Sequence, residues 1–185
     1  MDPERTRLNK YLASCGIGSR RACDALIQAG GVVVNGQPCT NPATGVTEGD
    51  SVQVDGRRVA PKATLTILFH KPRGYVCTKD DELGRSTMYE LLPPKYEHLN
   101  HVGRLDLDSE GLLVLTNDGA LANRLTHPSN KVEKEYLVTL DSSFDNDALA
   151  RLTKGVPTPE GRARAKSVKR VSPRRVTMVL ETGLK

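Results

Sequence analysis

Tryptophan is absent from these 185 residues, and all aromatic residues together make up only 4% of them. So few rings exclude a recognition surface that stacks many bases on aromatic side chains. No apolar run approaches the length of a membrane span, and the opening Met1-Asp2-Pro3-Glu4-Arg5 does not read as a signal peptide. No membrane partner is expected, and a cytoplasmic location is. Cysteine is also scarce. Cys15, Cys23, Cys39 and Cys77 show no CxxC or Cys/His ligand spacing, so reduced thiols are expected, with no metal site. What the chain has is basic charge: 27 Lys+Arg against 22 Asp+Glu, a formal net charge of +5. That balance favours a polyanionic partner. A hydrophobic content of 37% is enough to bury a core, and the length suits a small module followed by one larger domain.

The first 60 residues read as a small α+β module. Leu8, Tyr11 and Leu12 recur at helical spacing, and Gly16-Ile17-Gly18 stops the helix. Ser19 is placed to cap a second helix, with Ala22, Ala25, Leu26 and Ala29 on one side and Gly30-Gly31 at its end. Val32-Val33-Val34 and Ser51 to Val54 read as strands, and Asn35-Gly36 and Asp55-Gly56 as tight turns. Arg7, Lys10, Arg20 and Arg21 fall at polar positions of the two helices and form a candidate phosphate-contacting face; an ordinary solvated helix face is the competing explanation. A linker around Arg57 to Lys62 follows, and Ala60-Pro61 offers a flexible joint.

Residues 61–185 read as a second domain. Strands are expected at Leu65 to Phe69, Glu135 to Leu140, Ala165 to Val171 and Val176 to Glu181, and helices at Ala120 to Leu125 and Asn146 to Leu152. Several strands with few helices imply an α+β fold built on a mostly antiparallel mixed sheet. Arg151 to Arg175 is strongly basic, and alternation along strands would bring some of these cations to one face.

The densest chemistry lies in Gly103-Arg104-Leu105-Asp106-Leu107-Asp108-Ser109-Glu110-Gly111, which runs into Leu112-Leu113-Val114-Leu115-Thr116-Asn117-Asp118-Gly119. The apolar part reads as a buried strand bounded by turns. A loop feeding such a strand can hold a carboxylate rigidly at a cleft edge. If the segment is extended, Arg104 and Asp106 fall on one side. Asp106, Asp108, Glu110 and Gly111 also fit the early places of a calcium loop, but Asn117 stands where a bidentate Glu is needed, and the flanks are not helical.

The run from Gly103 to Gly119 resembles the central signature of the RsuA family of bacterial ribosomal-RNA pseudouridine synthases. Arg7-Leu8-Asn9-Lys10-Tyr11-Leu12, Gly18-Ser19-Arg20-Arg21 and Ile27 to Gly36 resemble the S4-type RNA-binding module that members carry at their N-terminus. His70-Lys71-Pro72-Arg73-Gly74-Tyr75 is similar to the family's first motif, with His70 in place of the usual Asn and no role assigned to it. Lys134-Glu135-Tyr136 resembles its Lys-x-Tyr motif.

The resemblance implies conversion of uridine to pseudouridine in ribosomal RNA or a pre-ribosomal particle, without cofactor. Asp106 aligns with the catalytic aspartate, Arg104 with a substrate-positioning residue, and Tyr136 with a residue that stacks on the flipped base. Arg7, Lys10, Arg20 and Arg21 would hold RNA. The N-terminal run and Lys134 to Thr139 are nearer the large-subunit members. Such proteins continue past this C-terminus with an Arg-rich motif, a helix and closing strands. The resemblance therefore implies a truncated form with impaired activity and stability. Oligomeric state is open, a monomer being the simplest expectation. A non-catalytic RNA-binding or ribosome-assembly protein is the alternative, and a metal-dependent nuclease using Asp106, Asp108 and Glu110 a further one.

Overall fold

A computed structural model of the chain describes residues 5–159 and 161–180. They fall into two compact units, residues 1–118 and 119–185.

The first unit opens with strand β1 (Thr6–Arg7), helices α1 (Leu8–Ser14) and α2 (Arg20–Gln28), and strands β2 (Val32–Val34), β3 (Gln37–Pro38), β4 (Gly45–Val46), β5 (Val52–Val54) and β6 (Arg57–Arg58). Strands β3-β2-β5-β6 form an antiparallel sheet, and β1 pairs with β4. Asn35-Gly36 and Asp55-Gly56 have positive φ at both positions (51° and 78°, 50° and 73°). That is the turn that lets two strands reverse without splaying. Ser19 caps α2 by accepting the Ala22 amide at 3.1 Å.

The buried face of α2 differs from expectation. Cys23 and Ile27 point inward, one helical turn apart, while Ala22 and Ala25 are exposed. They meet Leu8, Leu12, Val32, Val46 and Val52 in one core. The larger side chains, including a thiol that packs as a small hydrophobe, decide the inward face; the alanines do not.

The expected linker is also corrected. Its first two residues are strand β6. Beyond it, the Val59 amide donates to Val52, Val59 O accepts the Tyr11 hydroxyl, and the Lys62 amide donates to Ser14. The Ala60-Pro61 joint is therefore tied on both sides to the module.

The same unit continues with β7 (Thr66–Lys71), β8 (Asn100–Val102) and β9 (Gly111–Thr116), antiparallel in the order β7-β9-β8. Ile67, Phe69, Leu113 and Leu115 face a core shared with Cys77, Met88 and Leu99. The other face is open: Leu68 and Leu112 are 70% and 66% exposed. The strand expected to be buried is thus buried on one face only. A capping box at Thr87 and Glu90 starts the short turn Met88–Leu91.

The second unit contains α3 (Gly119–Thr126), β10 (Lys134–Thr139), α4 (Asn146–Lys154), β11 (Val156–Thr158), β12 (Gly161–Ala163), β13 (Ser167–Ser172) and β14 (Arg175–Leu180). Strands β10-β14-β13 form an antiparallel sheet with Tyr136 opposite Met178. The expected helices and strands fall here within a few residues of their predicted ends. Glu181, the expected end of the last strand, lies outside the described residues. The fold class is α+β, as the sequence implies.

Candidate active site

The site is built on the segment that joins β8 to β9. Gly103, at φ +79°, turns the chain out of β8. Residues 104–106 then run without strand partners. Leu105 packs against the core, while Arg104 and Asp106, two apart, expose their side chains at a cleft of about 630 Å³. The alternation predicted for an extended segment is what places them together.

The backbone of this segment is fixed from the stretch after β7. Lys71 is 0% exposed, and its Nζ donates to Asp106 O at 2.9 Å, Ser109 O at 2.7 Å and Pro72 O at 3.1 Å. An ammonium has three N–H donors, and all three are used, so this buried charge is compensated by carbonyl dipoles rather than by a carboxylate. The Gly74 amide donates to Leu107 O at 2.8 Å, and the Ser109 amide to Asp106 O at 3.1 Å. Cys77 Sγ meets Leu105 twice, accepting its amide and donating to its carbonyl, each at 3.4 Å. The side chains of Arg104 and Asp106 form no hydrogen bond or ion pair with any described residue. The backbone is held and the two side chains are left uncommitted.

One rim of the cleft is the turn from Thr78 to Ser86. Asp81 binds the Arg85 guanidinium through both carboxylate oxygens, at 2.6 and 3.1 Å, and also accepts the Arg85 amide. These bonds from Arg85 hold the Asp81 carboxyl well below the usual range, at about 2. Val76 bridges Thr87 at the base of the turn, donating to Ser86 O and accepting from the Met88 amide, each at 3.0 Å.

Behind the site, the Tyr89 hydroxyl accepts the His101 amide at 3.1 Å and meets His101 Nδ1 at 3.0 Å. Burial, and then the cations of Lys79 and Arg104, push the His101 pKa below its ordinary value. Burial likewise lowers that of Lys79, whose ammonium lies 5.2 Å from the Tyr89 ring centre.

The remaining sequence-predicted residues lie elsewhere. Tyr136 belongs to the second unit, where it is half-buried on the face of β10 that also carries Val138. Arg7, Lys10, Arg20 and Arg21 are exposed in the N-terminal module, and none makes a side-chain hydrogen bond or ion pair among the described residues. Arg20 and Arg21 occupy the first turn of α2, which carries no acidic residue. His70, which the sequence left without a role, points to the open face of the sheet, opposite Lys71. Asn117 bonds the backbone as expected, accepting from Leu65 at 2.7 Å and donating to Ala63 at 2.9 Å. Asp106, Asp108 and Glu110 do not join a group of three metal-ligating side chains among the described residues.

Sequence reasoning missed Lys71 and Cys77. A signal for Lys71 was present: it continues the inward series Ile67, Phe69 at strand spacing. Cys77 carried no comparable signal.

Comparisons with known proteins bear on the family of the chain. The pattern defining the RNA pseudouridylate synthase family matches residues 65–183, and that of the S4 domain matches residues 6–52. The chain is 40% identical over 173 residues to ribosomal large subunit pseudouridine synthase B of Haemophilus influenzae, covering 90% of this chain and 48% of that protein. It is 39% identical over 170 residues to the protein of the same name from Salmonella typhi, covering 88% and 58%. An uncharacterized RNA pseudouridine synthase of Aquifex aeolicus is 40% identical over 148 residues, covering 79% and 62%. A solved pseudouridylate synthase structure superposes with a TM-score of 0.63 at 26% identity, covering 96% of this chain and 77% of that one. The chain thus spans about half to three fifths of the length of these relatives. With its signature run at the cleft and an S4 domain ahead of it, the chain belongs to the RNA pseudouridylate synthase family.

Proposed function

We propose that this protein isomerises uridine to pseudouridine in ribosomal RNA of the large subunit, in the cytoplasm, with Asp106 as the catalytic carboxylate. The observation that carries the reading is the Asp106 carboxylate, presented at a cleft beside Arg104 by a backbone pinned through Lys71 and Cys77. Preorganising one reactive group while leaving it uncommitted is what a positioned nucleophile or base requires. The names of the relatives support the large subunit as the substrate.

The reaction breaks the bond between ribose C1′ and N1 of the base, turns the base, and joins C1′ to C5; C5 loses its proton and N1 gains one, so the product is an isomer. Asp106 acts at the sugar, either by attacking C1′ or by removing the 2′ proton. No electrons are gained or lost, so no redox cofactor is called for, and in this reading the carboxylate acts without a metal. The base must first leave its stack, at a cost of a few kcal/mol. Arg104 positions the substrate, and Tyr136 stacks on the extruded base.

The division of labour falls near residue 60, with RNA held by the module before it and chemistry carried by the domain after it. Arg20 and Arg21 support this. Cations in the first turn of a helix oppose its dipole, so their presence is better explained by a polyanion than by stability. The protein is proposed to act as a monomer.

The test is tritium release from unmodified ribosomal RNA labelled at uridine C5, with chelator present. It is run on this chain, on Asp106→Asn, and on a chimera continued past Lys185 with the segment that follows the matched region in a longer relative. Release that vanishes with Asp106→Asn supports the synthase and its carboxylate. Tight RNA binding with no release from any form replaces it with a non-catalytic RNA-binding or assembly protein.

A further inference from the structure

We propose that Cys77 is a positioning residue for the Arg104–Leu105–Asp106 segment, resting on the reading of Asp106 just given. Its thiol takes the place of a neighbouring strand. The amide of Leu105 belongs to the peptide that joins it to Arg104, and its carbonyl to the peptide that joins it to Asp106. Cys77 Sγ binds both, at 3.4 Å each. One side chain therefore fixes the two peptide planes that set the directions of the two side chains at the cleft.

Three further observations support this role. Among the described residues, neither Leu105 group has another partner. Losing the thiol would therefore leave a donor and an acceptor unmet in a segment that no sheet supports. Among the described residues, the segment's other backbone hydrogen bonds lie downstream, where Lys71 and the Ser109 amide bind Asp106 O and Gly74 binds Leu107 O. Between the turn at Gly103 and Asp106, Leu105 is anchored by its side chain in the core, and Cys77 supplies the hydrogen bonds to its backbone. Finally, Cys77 is only 8% exposed yet lines the cleft, so it acts from beneath the segment without occupying the space above it.

The residue type fits the task. A thiol can donate and accept at once. Valine fills similar space and can do neither. Serine can do both from a shorter side chain, so it should restore part of what valine loses.

The experiment compares the parent chain with Cys77→Val, Cys77→Ser and Leu99→Ala, at a temperature where all are folded. Leu99 is fully buried in the same core and shares no hydrogen bond with the segment among the described residues, so its variant reports the effect of lost core packing. The readouts are kcat and KM for tritium release, together with hydrogen exchange at the Leu105 amide. A misplacement of about 1 Å can cost about 100-fold in rate. The expected result is a fall in kcat of about 10- to 100-fold for Cys77→Val, with KM within about threefold, partial recovery in Cys77→Ser, and faster exchange at Leu105. Leu99→Ala should lower Tm and leave kcat near the parent value. Equal kcat for Cys77→Val and an active parent would overturn the role while leaving the synthase reading standing. So would equal losses in Cys77→Val and Leu99→Ala. If the parent is silent, the same variants are read in the chimera continued past Lys185; no release from either would overturn the synthase reading, and this role with it.

Discussion

Asp106 and Lys71 show how differently two residues of one site are written in a sequence. Asp106 was legible. Its spacing from Arg104 in an extended run predicts that both face the same way, and both line the cleft. For Lys71 the strand spacing gave its inward direction but not its role, because its partners Asp106 and Ser109 lie 35 and 38 residues away, and a lysine at a strand end normally reaches solvent. Lys71→Met keeps most of the volume and removes the donors. It should cost about 2–4 kcal/mol in denaturant unfolding, because carbonyls are left unpaired in a buried place. His101 offers a pH test. Its folded pKa lies below the ordinary value of 6.5, so as pH falls the unfolded chain binds the extra proton first. The stability it contributes is therefore present above pH 6.5 and is lost as pH falls through the folded value. His101→Gln should flatten the dependence of Tm on pH just below 6.5, and an unchanged slope would remove His101 as its source.

Among the elements, α2 separates what local rules determine from what packing determines. Its Ser19 cap and glycine stop follow from local chemistry and were readable. Its inward face was not, because Cys23 and Ile27 are chosen by the core they meet. Ser19→Ala should destabilise the module by about 1 kcal/mol, measured by thermal unfolding. The first turn of α2 gives a prediction of opposite signs. The double change Arg20→Glu, Arg21→Glu should leave stability equal or raised by about 0.3–1 kcal/mol per site, since acidic groups suit that end of a helix. The same change should sharply weaken RNA binding in a filter or fluorescence assay. If affinity is kept, the cations belong to a solvated face. Strand β9 shows the same limit on sequence reading: its apolar run gave the strand but not its open side. Leu115→Ala should cost about 2–5 kcal/mol, whereas Leu112→Thr on the exposed face should cost little.

For the molecule as a whole, composition pointed towards a polyanion and the strand-rich pattern towards an α+β fold. The order of strands within each sheet was not legible. It depends on pairings such as β10 with β14, between segments some forty residues apart, that periodicity does not encode. The net charge of +5 gives a test at this scale. RNA affinity should fall linearly with salt on logarithmic axes, and replacing any one of Arg7, Lys10, Arg20 or Arg21 by Gln should reduce that slope by about one. An unchanged slope would move the binding face elsewhere. The rim turn has a consequence of a different kind. Its two ends are fastened to each other by Val76, Ser86, Thr87 and Met88, and its interior is braced by Asp81 and Arg85. Neither fastening uses the Arg104–Asp106 segment. The residues between Thr78 and Ser86 therefore form an exchangeable cassette: it can be lengthened or rewritten while the Arg104–Asp106 segment beside it keeps its own backbone bonds.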